Sequence, residues 1–420
     1  MIEWSEQHLM LRDAVRRFVE AEIKPRLEEL EHGDTPPYEV LRKLVRSFGI
    51  DAVARARFEK RIARERAALA ALERGEKAPP PEVSDPAPSA EPSDGAALQL
   101  IPIIELCHYC PGMVTAMGVS AGLTANAILS RGTIRQKERW ALPLLTMEKI
   151  GAWAITEPGS GSDAFGSMAS TARRHGDGYV LNGSKTFITN GPHADTTVFI
   201  CKLDEGNEPR ERKVLSFILD RGMPGFIQSK PLRKMGLHSS PTGQLFLEDV
   251  VVERERLIGE TEQAPARSGA KQTFSMERSG VAAMALGIVE QCLALCTDYA
   301  RTRVQFGRPI GEFQLIQLKL AKMEVARMNL RNLVFRQIEL SAAGRSMTLA
   351  EASACKLYAA GAAVEVTLEA VQLFGGNGYM AEFQVEQLAR DAKVLQIYGG
   401  TDEIQVSQIA RSLLKEESAS

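Results

Sequence analysis

The apolar residues of this 420-residue chain change their spacing twice, and that change limits the folds open to it. Up to about Ile150 the pattern is helical, with Leu9, Leu11, Val15, Phe18, Val19 and Ile23 falling along one face and similar runs returning from Leu98. From Gly151 to about Glu260 the period becomes two, punctuated by Gly, Asn and Pro. From Thr273 onward the helical period returns in long segments, broken near Gly307-Arg308-Pro309, Ala343-Gly344 and Gly375-Gly376-Asn377-Gly378. The α, β, α order predicts a mainly α protein with a central β domain: a helical domain over 1–150, a β domain over 151–265 and a helical bundle over 270–420. At roughly 150 residues per domain, the length agrees with two or three.

Within the middle segment, Thr197 to Leu203, Val214 to Leu219 and Gln244 to Val252 read as strands. Tyr179 to Ile188 reads as a hairpin turning on Asn182-Gly183, the dipeptide of a type I′ turn. An insert over 51–96 interrupts the first helical domain. Asp51 to Arg74 is rich in Ala, Arg and Glu with a thin apolar stripe, and Gly75 to Ala96 carries six of the 20 prolines. The expected pair is a solvated helix and a flexible linker. Arg55, Arg57, Lys60, Arg61, Arg64 and Arg66 make that helix locally basic, suited to an acidic partner, a phosphate or a membrane surface, with a solvated charged face as the simpler reading.

A hydrophobic content of 44%, a charged content of 25% and a net charge of −2 describe an ordinary globular chain without a field that draws nucleic acid or anionic lipid. Apolar stretches such as Val281 to Leu295 are interrupted by polar side chains, so no transmembrane helix and no membrane contact is expected. Met1 to Arg12 is amphipathic and acidic, unlike a signal or transit peptide, which places the protein in the cytoplasm. The six cysteines are too few for a disulfide framework and read as buried free thiols.

Several look-alikes fail on context. Gly118-Val-Ser120-Ala-Gly122 has nucleophile-elbow spacing but no preceding strand. Cys107-His-Tyr-Cys110 has no second Cys pair to complete a zinc site, and the histidines show no ligand spacing, so no metal is expected. Gly159, Gly161 and Gly166 do not form a dinucleotide fingerprint.

Four motifs remain. Trp153-Ala-Ile-Thr156-Glu-Pro-Gly-Ser-Gly-Ser162-Asp163, followed by Asn182-Gly-Ser-Lys185-Thr-Phe187-Ile-Thr189-Asn-Gly191, resembles the flavin-binding middle domain of acyl-CoA dehydrogenases. Tyr299-Ala-Arg-Thr-Arg303-Val-Gln-Phe306 with Gln314, Gln372-Leu-Phe-Gly375-Gly376-Asn-Gly378-Tyr379, and Tyr398-Gly399-Gly400-Thr401-Asp-Glu403 resemble the C-terminal half of the same family in order and spacing. The resemblance spans nearly the whole chain except the insert. It implies a middle β-barrel-like domain, a C-terminal four-helix bundle and bound FAD.

Glycines in the first loop leave backbone N–H groups unshielded for close approach, and an aromatic face packs on a flat heterocycle. By resemblance, Trp153, Thr156, Phe187 and Thr189 contact flavin, and Ser162 contacts both cofactor and acyl-CoA. Phe187 stands where relatives usually carry Trp. Arg303, Phe306, Gln314, Gln372, Gly375, Gly376, Thr401 and Glu403 complete the FAD cradle, with Arg303 and Gln314 reaching a neighbouring subunit's FAD. That implies a homo-oligomer, a dimer of dimers.

Dehydrogenation of a thioester needs one carboxylate base and stabilisation of the enolate oxygen. Many family members carry the base in Tyr-Glu-Gly-Thr, whereas this chain has Tyr398-Gly399-Gly400-Thr401. A branch similar to isovaleryl-CoA and long-chain acyl-CoA dehydrogenases instead has a Glu-Arg pair on the preceding long helix, here Glu277-Arg278. The resemblance implies that Glu277 is the base, that Arg278 contacts CoA, and that Gly399 and Gly400 line the substrate, with an electron-transfer flavoprotein as acceptor. An acyl-CoA oxidase, a nitroalkane-oxidase-like enzyme and a non-catalytic binding protein of the same fold stay open, as does a helix-start charge for Glu277.

Overall fold

The computed structural model describes residues 3–33, 35–75, 94–263 and 266–416; side chains at 94, 266–277, 279, 415 and 416 lie outside the described set. The N-terminal part is helical: α1 Glu6–Phe18, α2 Leu27–His32, α3 Tyr38–Ser47, α4 Ile50–Glu73, α5 Asp94–Cys107, α6 Pro111–Met117, α7 Ala125–Arg131, α8 Ile134–Gln136 and α9 Leu142–Leu145. Ser5 starts α1 by accepting the His8 N–H, with the His8 ring reaching back to the Ser5 N–H. The middle part is a sheet of β1 Gly151–Ala154, β2 Thr171–His175, β3 Gly178–Thr189, β4 Thr196–Leu203, β5 Val214–Asp220, β6 Phe226–Gln228 and β7 Thr242–Val252, in the order β1-β4-β2-β3-β7-β6 with β5 on β4. The C-terminal part packs α10 Ala266–Thr302, α11 Gln314–Ala342, α12 Leu349–Phe374, α13 Gln384–Lys393 and α14 Asp402–Glu416, with the short pair β8 Val304–Gln305 and β9 Arg308–Pro309 between α10 and α11.

The helix ends fall where the glycine and proline breaks predict. Thr348 caps α12 reciprocally with Glu351; its N–H and hydroxyl, with Arg336, hold the Glu351 carboxylate down to about 2. α10 is the central helix: Val281 through Leu286, Ile288 and Val289 are buried all round, and Cys292, Cys296 and Ala300 continue one buried face. All six cysteines are free and buried.

Three expectations are corrected. Asn182-Gly183 is not a hairpin turn: β3 runs straight through it, and the β2–β3 turn is Gly176-Asp177, closed by the His175–Gly178 pair. Gly183 at φ 145° instead marks an irregularity in the β3–β7 register, where the Asn182 amide donates to Asp249 at 2.8 Å and accepts the Asp249 N–H at 2.9 Å. α4 is a helix as predicted but not simply solvated. Phe58, Ile62 and Ala71 are buried, the first two in a cluster with Trp140 and Ile128, and Arg55, Arg61 and Arg66 are tied to Glu148, Glu65 and Glu138. Of the expected linker, 76–93 lies outside the described residues. Finally, Pro111–Arg131, Gly280–Thr302 and Leu349–Tyr379 are each long and apolar enough to cross a membrane. Within the protein 61%, 61% and 50% of the respective windows are buried, so the polar interruptions do not keep these stretches below the length and hydropathy of a span.

Candidate active site

The Thr156–Asp163 loop is anchored from beneath by a buried ion pair. Lys185 on β3 is fully buried and donates to the Ile155 carbonyl at 3.0 Å and to Glu157 at 2.8 Å. Glu157 also accepts the N–H groups of Ala169 at 2.6 Å and Ser170 at 3.0 Å. Burial alone would raise the Glu157 carboxyl; the Lys185 ammonium and the N–H donors outweigh it and hold the group below the usual carboxylate range. Above this foundation Thr156 is half-buried with its carbonyl accepting the Thr186 N–H at 2.9 Å, Ser162 is exposed, and Asp163 closes the turn by accepting from Gly166 and Ser167. Trp153 sits on β1 with its ring buried in the cluster around Trp140, Met168 and Val198.

β3 next presents Phe187 and Thr189. Phe187 is 70% exposed although Thr186 and Ile188 beside it are buried, and its φ of 58° puts a bulky residue in the left-handed region. Such a conformation costs about 1–3 kcal/mol and persists because its surroundings hold it. Phe187 sits in the second irregularity of the β3–β7 register, between Lys185 and Ile188. The end of β3 beyond it is fixed by Asn190, which motif reading passed over. Fully buried, it accepts the Tyr38 hydroxyl at 3.0 Å, donates to the Ala116 and Gly151 carbonyls at 2.9 Å each, and gives its own N–H to Pro241 at 2.7 Å. An outward aromatic face on a fixed backbone, beside a polar Thr189 and a loop with exposed hydroxyls, fits a flat heterocyclic cofactor.

The second wall is the Tyr398–Thr401 turn. Gly399 and Gly400 have φ 63° and 90°, a double left-handed bend that glycine adopts at least cost. The Gly399 carbonyl accepts from Arg278 Nε at 3.3 Å and Gln405 Nε2 at 3.1 Å, and Gln405 also donates to Gly400 at 2.8 Å. Arg278 is only 6% exposed, and its Nη1 donates to Ser353 at 3.2 Å. The guanidinium is therefore a brace for the turn. Glu277 precedes it on α10 and its side chain lies outside the described residues. Thr401 is half-buried at the start of α14 and receives the Ile404 N–H; Glu403 is exposed, its carboxyl lowered first by its own N–H and then by Thr401.

The remaining motif residues gather on an outward face. Arg303, Gln314, Gln372, Gly375 and Gly376 are exposed, and Phe306 is 94% exposed at φ 51°. Arg303 is placed by backbone bonds, its N–H to Tyr299 at 2.8 Å and its carbonyl from Ile310 at 2.9 Å. Tyr299 joins two motifs: its ring stacks on Phe374 at 4.0 Å, and its hydroxyl accepts from Asn377 at 3.0 Å. The structure thus brings the loop together with β3, and the Tyr299 and Gly375 motifs together with each other. It leaves the Arg303–Gln314 segment facing outward.

Comparison with known proteins follows the same three parts. Residues 5–54, 152–250 and 268–414 match the models of the acyl-CoA dehydrogenase N-terminal, middle and C-terminal domains. The chain is 39% identical over 316 residues to a short-chain-specific acyl-CoA dehydrogenase of Megasphaera elsdenii, covering 75% of this chain and 81% of that one. It is 34% identical over 414 residues to a 3-(aryl)acrylate reductase of Clostridium sporogenes, covering 98% and 100%. The solved structure of butyryl-CoA dehydrogenase from Megasphaera elsdenii superposes with a TM-score of 0.82 at 33% identity over 99% of this chain and 100% of that one.

Proposed function

Because this chain belongs to the acyl-CoA dehydrogenase family and is an oxidoreductase of that class, we propose that it removes the α and β hydrogens of an acyl-CoA thioester to give the trans-2-enoyl-CoA, with Glu277 as base. FAD, bound against the exposed face of Phe187 and the Thr156–Ser162 loop, supplies the hydride acceptor. Arg303, Phe306, Gln314, Gln372, Gly375 and Gly376 form the rest of its cradle, and Ser162 contacts the acyl-CoA. The Glu277 carboxylate takes the α-proton, and the Gly399 N–H receives the thioester carbonyl as negative charge develops there.

The observation that carries this reading is the bracing of the glycine turn from the helix that bears Glu277. Position 399 offers no carboxylate, and the residue after Glu277 reaches across to hold the Gly399 carbonyl. In this reading Arg278 positions the turn rather than binding CoA.

The exposed Phe306, with Leu315 at 75% and Tyr379 at 80%, gives the bundle an apolar face suited to a second copy. We assign a homotetramer built as a dimer of dimers, an electron-transfer flavoprotein as acceptor and a cytoplasmic location. The whole-length likeness to an acrylate reductase favours one further reading, that the same groups run the reaction towards the saturated acyl product. The test is an anaerobic titration of the purified protein with straight and branched acyl-CoA thioesters, following the visible flavin band, and of the reduced protein with enoyl-CoA. Bleaching by a saturated thioester supports dehydrogenation. Reoxidation by enoyl-CoA alone supports the reductive direction, and no response to either overturns both.

A further inference from the structure

The Tyr398–Thr401 turn has little of its own to hold its shape. Gly399 and Gly400 bring no side chains that could pack or bond, and glycine backbone is the freest to leave a given conformation. The entry is fixed by Tyr398, whose N–H reaches the Val394 carbonyl at 3.1 Å and whose hydroxyl meets the Met284 sulfur at 3.4 Å. Beyond that point the shape is imposed by neighbours. A Cβ added to Gly400 would stand 2.9 Å from Gln405 Nε2 and 3.4 Å from Arg278 Nη2, so these two side chains lie directly against the turn.

The exit is held by a buried charge that the function proposed above does not use. Lys356 on α12 is fully buried, and its Nζ donates to the Asp402 carboxylate at 2.9 Å. Asp402 opens α14 directly after Thr401, and its side chain is 22% exposed. The Thr401 carbonyl accepts the Gln405 N–H at 3.0 Å, so α14 begins at the turn itself. Gln405, one turn into α14, carries the amide that donates to the Gly399 and Gly400 carbonyls. Seating the start of α14 therefore also seats that amide.

Three residues before Lys356 on α12, Ser353 is fully buried as well. Its hydroxyl accepts from Arg278 at 3.2 Å and donates to the Leu349 carbonyl at 2.7 Å. Residues three apart are neighbours on a helix surface, so α12 presents Ser353 and Lys356 together. Through Arg278 the first supports the Gly399 carbonyl, and through Asp402 the second supports the far end of the turn. One helix thus reaches both ends of the two-glycine bend.

We propose that Lys356 is a positioning residue for the glycine turn, acting through Asp402, and that α12 thereby fixes the direction of the Gly399 N–H. A buried ion pair adds little stability over apolar side chains of the same volume, because the hydration lost offsets the attraction gained. What the pair supplies here is a fixed anchor point for the segment after the glycines. A donor aimed at developing charge is effective only when it is oriented beforehand, and two glycines released at one end sample other orientations. The effect on turnover deepens the function proposed above and rests on it; the effect on the rigidity of the turn does not.

The test compares the flavin-loaded wild type with Lys356→Met and Asp402→Ala in two measurements. Amide hydrogen exchange over 398–402 should be faster by about tenfold or more in both variants, with β3 and the middle of α12 unchanged. Rapid mixing with the thioester that best bleaches the wild type should show flavin reduction about 10-fold to 100-fold slower at saturation, with KM within about twofold, as expected of a donor misdirected rather than removed. A purely structural role predicts a lower Tm with kcat per bound flavin unchanged, and that result overturns the proposal. So does wild-type exchange over 398–402 in either variant. If Lys356→Met does not fold, Asp402→Ala decides alone on the same two measurements. If no thioester bleaches the wild type, the function proposed above fails, and exchange over 398–402 decides this proposal by itself.

Discussion

The two sides of the candidate site are built in opposite ways. On the sheet side, Phe187 and the Thr156 loop stand on a floor of buried polar groups, Lys185, Glu157 and Asn190, whose bonds are made within the chain. On the helical side, Arg303 just before a short strand pair, Phe306 in its turn and Gln314 at the start of α11 are placed by backbone bonds and leave their side chains outward. The first arrangement is complete in one copy. The second leaves apolar and charged surface that a partner and a cofactor would cover. Residues with the same sequence prominence thus divide into those whose partners lie within the chain and those left facing outward.

The largest effect should come from breaking the floor. Lys185→Met leaves the Glu157 carboxylate buried without its counter-charge and should cost about 3–5 kcal/mol, read as a loss of unfolding free energy in denaturant. Arg278→Ala should cost less stability, about 1.5–3 kcal/mol for charged hydrogen bonds lost at the turn, while lowering kcat more than it raises KM. On the helical side, Phe306→Ser combined with Leu315→Ser should leave monomer stability nearly unchanged yet move the sedimentation coefficient towards smaller species and weaken FAD retention. Unchanged sedimentation would mean that this face does not join copies. The smallest effect is on acid stability. The Glu157 carboxyl is depressed in the fold, so its contribution is present at neutral pH and lost only as pH falls through its folded pKa, below the ordinary value of about 4.3. Removing the Lys185 charge should move the onset of acid unfolding to higher pH.

Local signals were read reliably where one segment carried them. The strands over Thr196–Leu203, Val214–Asp220 and Thr242–Val252 and the helix ends at Thr302, Ala342 and Phe374 follow directly from periodicity and from Gly and Pro breaks. Asn182-Gly183 misled because a register irregularity uses the same left-handed tolerance as a turn, and only the Asn182–Asp249 cross-strand bonds separate the two. The apolar anchoring of α4 rests on Phe58, Ile62 and Ala71, too few to set a periodic stripe along a helix of 24 residues. The motifs named the residues at the site's surface but not their supports. Lys185 and Glu157 are 28 positions apart, Asn190 and Tyr38 are 152 apart, and Lys356 and Asp402 are 46 apart. A polar residue that will be buried looks in sequence like one that will be solvated.

The central claim is that the base moved from the glycine turn to the helix that braces it. Its most direct test is anaerobic rapid mixing of flavin-loaded wild type, Glu277→Gln and the double variant Glu277→Gln/Gly399→Glu with the thioester that best bleaches the wild type. Glu277→Gln should keep its FAD and lose about 10²–10⁴-fold in the rate of flavin reduction, the usual contribution of a positioned base, and the carboxylate that the double variant carries on the glycine turn should restore part of it. Bleaching of Glu277→Gln at the wild-type rate would contradict the account.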